Sequence, residues 1–139
     1  MPELDRDDAE DVIFPAQLEC DHDPDWFREI SVAIDDYLDG VRDALVDLTT
    51  DFSDAPPFFA ALWDACRSIP WGETRSYSWL ATEAGRPRAA RCAGQAMAKN
   101  RVPLLVPCHR VIRADGSLGG YGGRLGLEMK RRLLALEVD

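Results

Sequence analysis

Ser76-Tyr-Ser-Trp-Leu-Ala-Thr-Glu-Ala-Gly85-Arg-Pro-Arg-Ala-Ala-Arg91-Cys-Ala-Gly94-Gln-Ala-Met-Ala-Lys99 reads as two short helices around a tight turn. The first runs from about Ser76 to Ala84, where Gly85 stops it. Pro87 suits the first turn of the second, which runs from about Pro87 to Lys99. Two short helices about a Gly-containing turn, with Arg86, Arg88 and Arg91 at the opening of the second, describe a helix-turn-helix. Ordinary packed helix pairs share this pattern, so DNA binding and plain packing both stay open on this stretch alone.

Downstream, Val102-Pro-Leu-Leu-Val106 is apolar and expected to be buried, and it leads into Pro107-Cys108-His109-Arg110-Val111. A thiol at the end of a buried tract, beside an imidazole and an arginine, has surroundings that favour a thiolate nucleophile. The competing reading is a structural cysteine that fills core. Asp115-Gly116 marks a turn, and Gly119-Gly-Tyr-Gly-Gly123 either turns a corner or brings backbone N–H groups close to a ligand. A last helix, about Leu125 to Glu137, carries Leu127, Met129, Leu133, Leu134 and Leu136 and would dock onto the core.

Upstream, Trp71-Gly72-Glu-Thr is a turn. A helix is expected from Pro56-Pro57, capped by Asp54, with Phe58, Phe59, Leu62, Trp63, Cys66 and Ile69 as its apolar stripe. The polar linker Thr49–Pro56 marks the expected boundary between residues 1–54 and 55–139. Residues 25–48 suit an amphipathic helix broken at Gly40, and residues 1–24 are acidic, with one short strand expected at Val12-Ile-Phe14. The expected class is α+β and mainly helical.

A chain of 139 residues holds one ordinary core, or a small domain plus a helical appendage. Its formal net charge of −9 is unevenly spread. Residues 1–56 hold 18 acidic and 3 basic side chains, whereas residues 57–139 hold 7 acidic and 13 basic. A basic face binds phosphates whatever the far side carries, so the C-terminal part is compatible with nucleic acid. The acidic third resembles the surface of a salt-adapted protein. No apolar run approaches a membrane span and Met1-Pro-Glu-Leu-Asp is no signal peptide, so a soluble, intracellular, cytoplasmic protein is expected. Cys20, Cys66, Cys92 and Cys108 form no CxxC pair, and disulfides are not expected. Cys20 and His22 have no second ligand pair at usable spacing, so neither a metal nor a cofactor is expected.

Taken in order, these pieces resemble the O6-alkylguanine-DNA alkyltransferases (methylated-DNA–protein-cysteine methyltransferases). The resemblance runs from about Pro57 to Glu137 and rests on several motifs. These are Ile69-Pro-Trp-Gly-Glu-Thr-Arg-Ser-Tyr77, Gly85-Arg-Pro-Arg-Ala-Ala-Arg-Cys-Ala-Gly94, Asn100, the Val106-to-Ile112 tract, Gly120-Tyr-Gly122 and Leu133-Leu-Ala-Leu-Glu137. Ala33-Ile-Asp-Asp-Tyr-Leu-Asp-Gly40 looks like the helix that ends the family's N-terminal, ribonuclease-H-like domain, which residues 1–54 are too short to complete. The resemblance implies a winged-helix-like alkyl-transfer domain that repairs DNA by direct reversal of damage. It further implies a stoichiometric methyltransferase whose Cys108 would permanently accept the alkyl group in a single SN2 step.

In that reading His109 removes the thiol proton through one water, and Glu137 orients the imidazole. Asn100 holds the turn near the cysteine, and Tyr77 donates to the guanine. Tyr121 and Gly122 form the pocket, and the carbonyls of Cys108 and Val111 accept from the exocyclic amine. The base is flipped from double-stranded DNA, with the second helix in the minor groove and Arg91 in the vacated space. Small Ala90, Ala93 and Gly94 permit close approach, and Arg86, Arg88, Lys99, Arg101 and Arg124 contact phosphates. The free protein is expected to be a monomer. Arg101 stands where family members often have proline, and Gly122-Gly-Arg-Leu-Gly126 reads like variants with a longer loop. Three rivals remain: a non-reacting lesion-binding module, a Cys-His hydrolase with an oxyanion hole, and a DNA-binding regulator with Cys108 as a sensor thiol.

Overall fold

The computed structural model describes residues 24–119 and 126–138. The mixed, mainly helical class expected from the sequence is what forms. Five α-helices run in chain order among the described residues: α1 (Pro24–Leu38), α2 (Pro57–Arg67), α3 (Tyr77–Glu83), α4 (Ala90–Ala98) and α5 (Gly126–Leu136). Strand β1 (Arg75–Ser76) precedes α3, and β2 (Val111–Ile112) follows one turn of 3-10 helix at Cys108–Arg110. The two strands pair in parallel, with Arg75 opposite Val111 and Ser76 opposite Ile112.

The helix-turn-helix forms with a later second start than the sequence suggested. Ser76 ends β1 and caps α3, its hydroxyl accepting from Trp79 N at 3.0 Å. Gly85, at φ 95°, closes α3 with the paired bonds Gly85 N to Thr82 O and Arg86 N to Ala81 O. Pro87 then falls in a turn, and α4 begins only at Ala90. The same closing motif at Gly40, with Val41 N bonded to Asp36 O at 2.9 Å, ends α1 at Leu38. The break expected at Gly40 forms, but residues 42–47 are turns, and the helix does not resume toward residue 48. Asp54 does not cap α2. Pro57 occupies its first turn, where no N–H is missed, and Asp54 is drawn instead to Arg101 at 2.7 Å. The strand expected at Val12-Ile-Phe14 lies outside the described residues.

Two apolar clusters fill the interior. Leu62, Trp63, Cys66, Leu80, Ala81, Ala93, Ala96 and Val111 form the first, where α2 packs on the helix pair. Ile30, Ile34 and Tyr37 of α1 meet Leu104, Leu105, Met129 and Leu133 in the second. Cys108 belongs to the first cluster and the loop before it feeds the second, so the thiol sits where the two adjoin.

Candidate active site

The approach to Cys108 is a clamped loop. Asn100 donates from Nδ2 to Val106 O at 2.8 Å, and its Oδ1 accepts from Val102 N at 3.0 Å. The enclosed loop holds Leu104 at φ 74°, a left-handed conformation that a branched side chain rarely adopts. Burial of Leu104 and Leu105 and the two amide bonds of Asn100 offset that strain. Cys108 N then bonds Val106 O at 2.7 Å, so the clamp and Cys108 share one carbonyl.

Beyond the thiol lies a buried polar cluster. His109 and Glu137 are 0% and 2% exposed. His109 Nε2 stands 2.6 Å from Glu137 Oε2. Arg110 donates from Nε to Glu137 Oε1 at 2.8 Å and from a terminal nitrogen to Oε2 at 2.9 Å, and its other terminal nitrogen donates to Ile69 O at 2.7 Å. Tyr37 of α1 donates to Glu137 Oε2 at 2.7 Å.

Burial alone would push the Glu137 carboxyl up. The hydrogen bonds and charges of His109 and Arg110 prevail and carry it down to about 2. Burial pushes His109 below its ordinary range, and Glu137 counters only part of that. The site therefore pairs a neutral imidazole with an ionised carboxylate. Because the carboxylate only accepts, Nε2 carries the imidazole proton and the basic lone pair lies on Nδ1. Nδ1 is buried and has no protein hydrogen-bond partner among the described residues.

The thiol opens on a cavity of about 930 Å³ lined by Tyr77, Ala90, Arg91, Gly94, Cys108 and Arg113, among others. The short parallel sheet brings these walls together, because β1 leads directly into Tyr77 and β2 directly follows the Cys108 turn. Burial and the adjacent Cys108 push the Tyr77 hydroxyl above its ordinary range, so it is a neutral donor. Gly119 closes against it at φ 70°, where an added Cβ would lie 3.0 Å from the Tyr77 oxygen.

The remaining site residues divide. Val111 is fully buried, and its carbonyl accepts from Lys130 Nζ at 2.7 Å, while the Cys108 carbonyl accepts from Val111 N. Ala93 is fully buried and faces the core, so it does not present a small surface to a groove. Arg88 and Arg91 are exposed. Arg86 and Lys99 lie over the rings of Phe58 and Phe59. Arg101 lies over Trp63, with its charge answered by Asp54. Tyr121, Gly122 and Arg124 lie outside the described residues.

Sequence reasoning missed three contributors. Arg110 stands inside the motif, yet its fork onto Glu137 needs a partner 27 positions away. Tyr37 reads as one more aromatic of an amphipathic stripe. Lys130 reads as part of the basic run Lys130-Arg-Arg132, but it is fully buried and donates to the carbonyls of Val111 and Leu118. Burial lowers its ammonium to about 8. Its i+3 spacing to Leu133 was the one available sign.

Residues 57–138 match the family model of the 6-O-methylguanine DNA methyltransferase DNA-binding domain. A methylated-DNA–protein-cysteine methyltransferase of Mycolicibacterium paratuberculosis is 52% identical over 80 residues, covering 58% of this chain and 47% of the relative. The chain thus spans about half the length of that curated relative. The crystal structure of the Mycobacterium tuberculosis O6-methylguanine methyltransferase superposes with a TM-score of 0.64 at 38% identity, covering 83% of this chain and 67% of that one. The crystal structure of Mycobacterium tuberculosis OGT in complex with DNA gives a TM-score of 0.55 at 48% identity, over 65% of this chain and 50% of that one. The matched region carries Cys108, His109 and Glu137, and by it the chain belongs to the 6-O-methylguanine DNA methyltransferase family.

Proposed function

We propose that this protein repairs DNA by moving the alkyl group of O6-alkylguanine irreversibly onto Cys108. The observation that carries the reading is a thiol facing an open cavity, beside a buried neutral imidazole that an ionised carboxylate orients. His109 takes the thiol proton on Nδ1, and Glu137 stabilises the imidazolium that results. The thiolate sulfur attacks the alkyl carbon, the carbon–O6 bond breaks, and the electron pair leaves with guanine. Tyr77 donates as that charge develops. A thioether does not hydrolyse, so each molecule acts once.

The damaged base reaches the sulfur only after leaving the stack. Arg91 on α4 occupies the opened space, and Ala90 and Gly94 let the helix approach. Arg86, Arg88, Lys99 and the Arg124 side chain contribute phosphate contacts. Arg101 is the weaker candidate, since Asp54 already answers its charge. Asn100 is a positioning residue for the cysteine loop. Tyr121, Gly122 and the Val111 carbonyl complete recognition of the base. Residues 55–139 carry the reacting cysteine, its base and the DNA-binding helix pair, and residues 1–54 form an acidic region ahead of them. The protein works as an intracellular monomer with access to DNA. Among the described residues no helix is long and apolar enough to cross a membrane.

The test is intact mass after incubation with a duplex carrying O6-methylguanine. One methyl per chain is expected, absent in Cys108→Ser. Lesion loss with Cys108 unmodified, or repeated turnover of an ester, overturns the reading.

A further inference from the structure

Tyr37 stands outside the matched domain, 72 positions from His109 and 100 from Glu137, yet its hydroxyl reaches the same carboxylate oxygen that faces the imidazole. That oxygen accepts from Tyr37 at 2.7 Å, from His109 at 2.6 Å and from Arg110 at 2.9 Å. The Tyr37 side chain is 1% exposed, and its ring meets Trp71 edge-on with centroids 5.3 Å apart. Trp71 lies in the turn just after Ile69, whose carbonyl anchors Arg110. The phenol is thus held from two sides and aimed at Glu137.

We propose that Tyr37 is a positioning residue of the alkyl-transfer site, holding the Glu137 carboxylate against His109 and drawing off part of the charge that the imidazole feels. The proposal rests on the alkyl-transfer reading above, and it makes a helix outside residues 57–138 part of the machinery.

A hydrogen-bond donor on a carboxylate lowers its basicity toward every other donor it holds. Without the phenol, Glu137 presents more charge to His109 and favours the imidazolium. The groups acting on His109 are Glu137, Tyr37 from α1, Arg110 from its own turn, and Lys130 from α5. The two cations oppose the imidazolium and the carboxylate favours it, so Tyr37 acts in the same direction as the cations. A neutral His109 is what a base for Cys108 requires, and Tyr37 helps to keep it neutral toward lower pH.

The experiment compares full-length wild type with Tyr37→Phe, which keeps the ring against Trp71 and removes only the hydroxyl. The imidazole of His109 is titrated by NMR. The chain has 2 histidines, so His22→Gln assigns the signal. In Tyr37→Phe the His109 pKa is expected to rise by about one unit, the scale of a buried hydrogen bond to a charged group. The acid limb of methyl transfer should move upward by the same amount. A merely structural tyrosine leaves both where they are, and that result overturns the proposal. Should Tyr37→Phe fail to fold, a ring-fluorinated tyrosine at position 37 keeps the packing and donates more strongly. It should shift His109 downward, and no shift overturns the proposal equally. The titration needs no DNA. A wild type that takes no methyl therefore sinks the function, whereas a wild type that reacts beside an unshifted variant sinks only the role of Tyr37.

Discussion

At the scale of the residue, the buried polar cluster depends on one carboxylate. Glu137 is almost fully buried and carries donors on both oxygens from three side chains. Paired and hydrogen-bonded in this way, a buried charge is tolerated; stripped of its charge, it leaves the guanidinium of Arg110 without an anion in a dry site. Glu137→Gln should therefore cost about 3 kcal/mol of stability, the scale for breaking a buried ion pair from one side. It should also slow alkylation of Cys108 at neutral pH, because His109 loses the group that favours its protonated form. Urea denaturation and single-turnover kinetics check the two halves. A variant as stable as wild type would contradict the buried pair.

At the scale of the element, α4 divides its labour by face. Ala93 and Ala96 turn inward to the core, Ala90, Arg91 and Gly94 line the cavity that holds Cys108, and the buried Met97 borders both. Arg91 thus stands on the cavity face, where the proposed function has a flipped nucleotide pass. Arg91→Ala should slow repair in duplex by about one to two orders of magnitude, since unstacking a base costs a few kcal/mol. Reaction with free benzylguanine, which needs no flipping, should change little. Equal losses on both substrates would remove Arg91 from that role. The helix pair was readable from Ser76, Gly85 and the arginines that follow the turn, because caps and turn residues act locally. The start of α4 was not. Pro87 is compatible with a first helical turn, but the tight closing motif at Gly85 spends the following residues on a turn.

At the scale of the whole molecule, the buried cluster sets the response to acid. Unfolded His109 binds a proton near its ordinary 6.5, whereas burial holds the folded imidazole below that. Unfolded Glu137 binds a proton near 4.5, whereas the folded carboxylate stays ionised to about 2. In both cases the unfolded chain binds more protons, so the stability these two groups contribute is fully present above about pH 6.5 and declines as pH falls toward 2. Urea midpoints measured between about pH 8 and pH 3 should fall in that order, first through the histidine and then through the carboxylate. A midpoint that stays level on acidification would refute the assignment of both charge states.

Sequence alone determined the family motifs, the helix pair and the placing of Cys108 beside His109, because each is written in residues adjacent along the chain. Tertiary structure decided which distant groups complete them. Whether Glu137 orients His109, whether Arg110 faces solvent or a carboxylate, whether Asp54 caps a helix or pairs with Arg101, and whether Lys130 is surface or core all depend on packing across long separations. Tyr37 shows the reason most directly. An apolar stripe places its ring in the core, and only the meeting of α1 with the chain beyond α5 decides that its hydroxyl ends at a carboxylate 100 residues away.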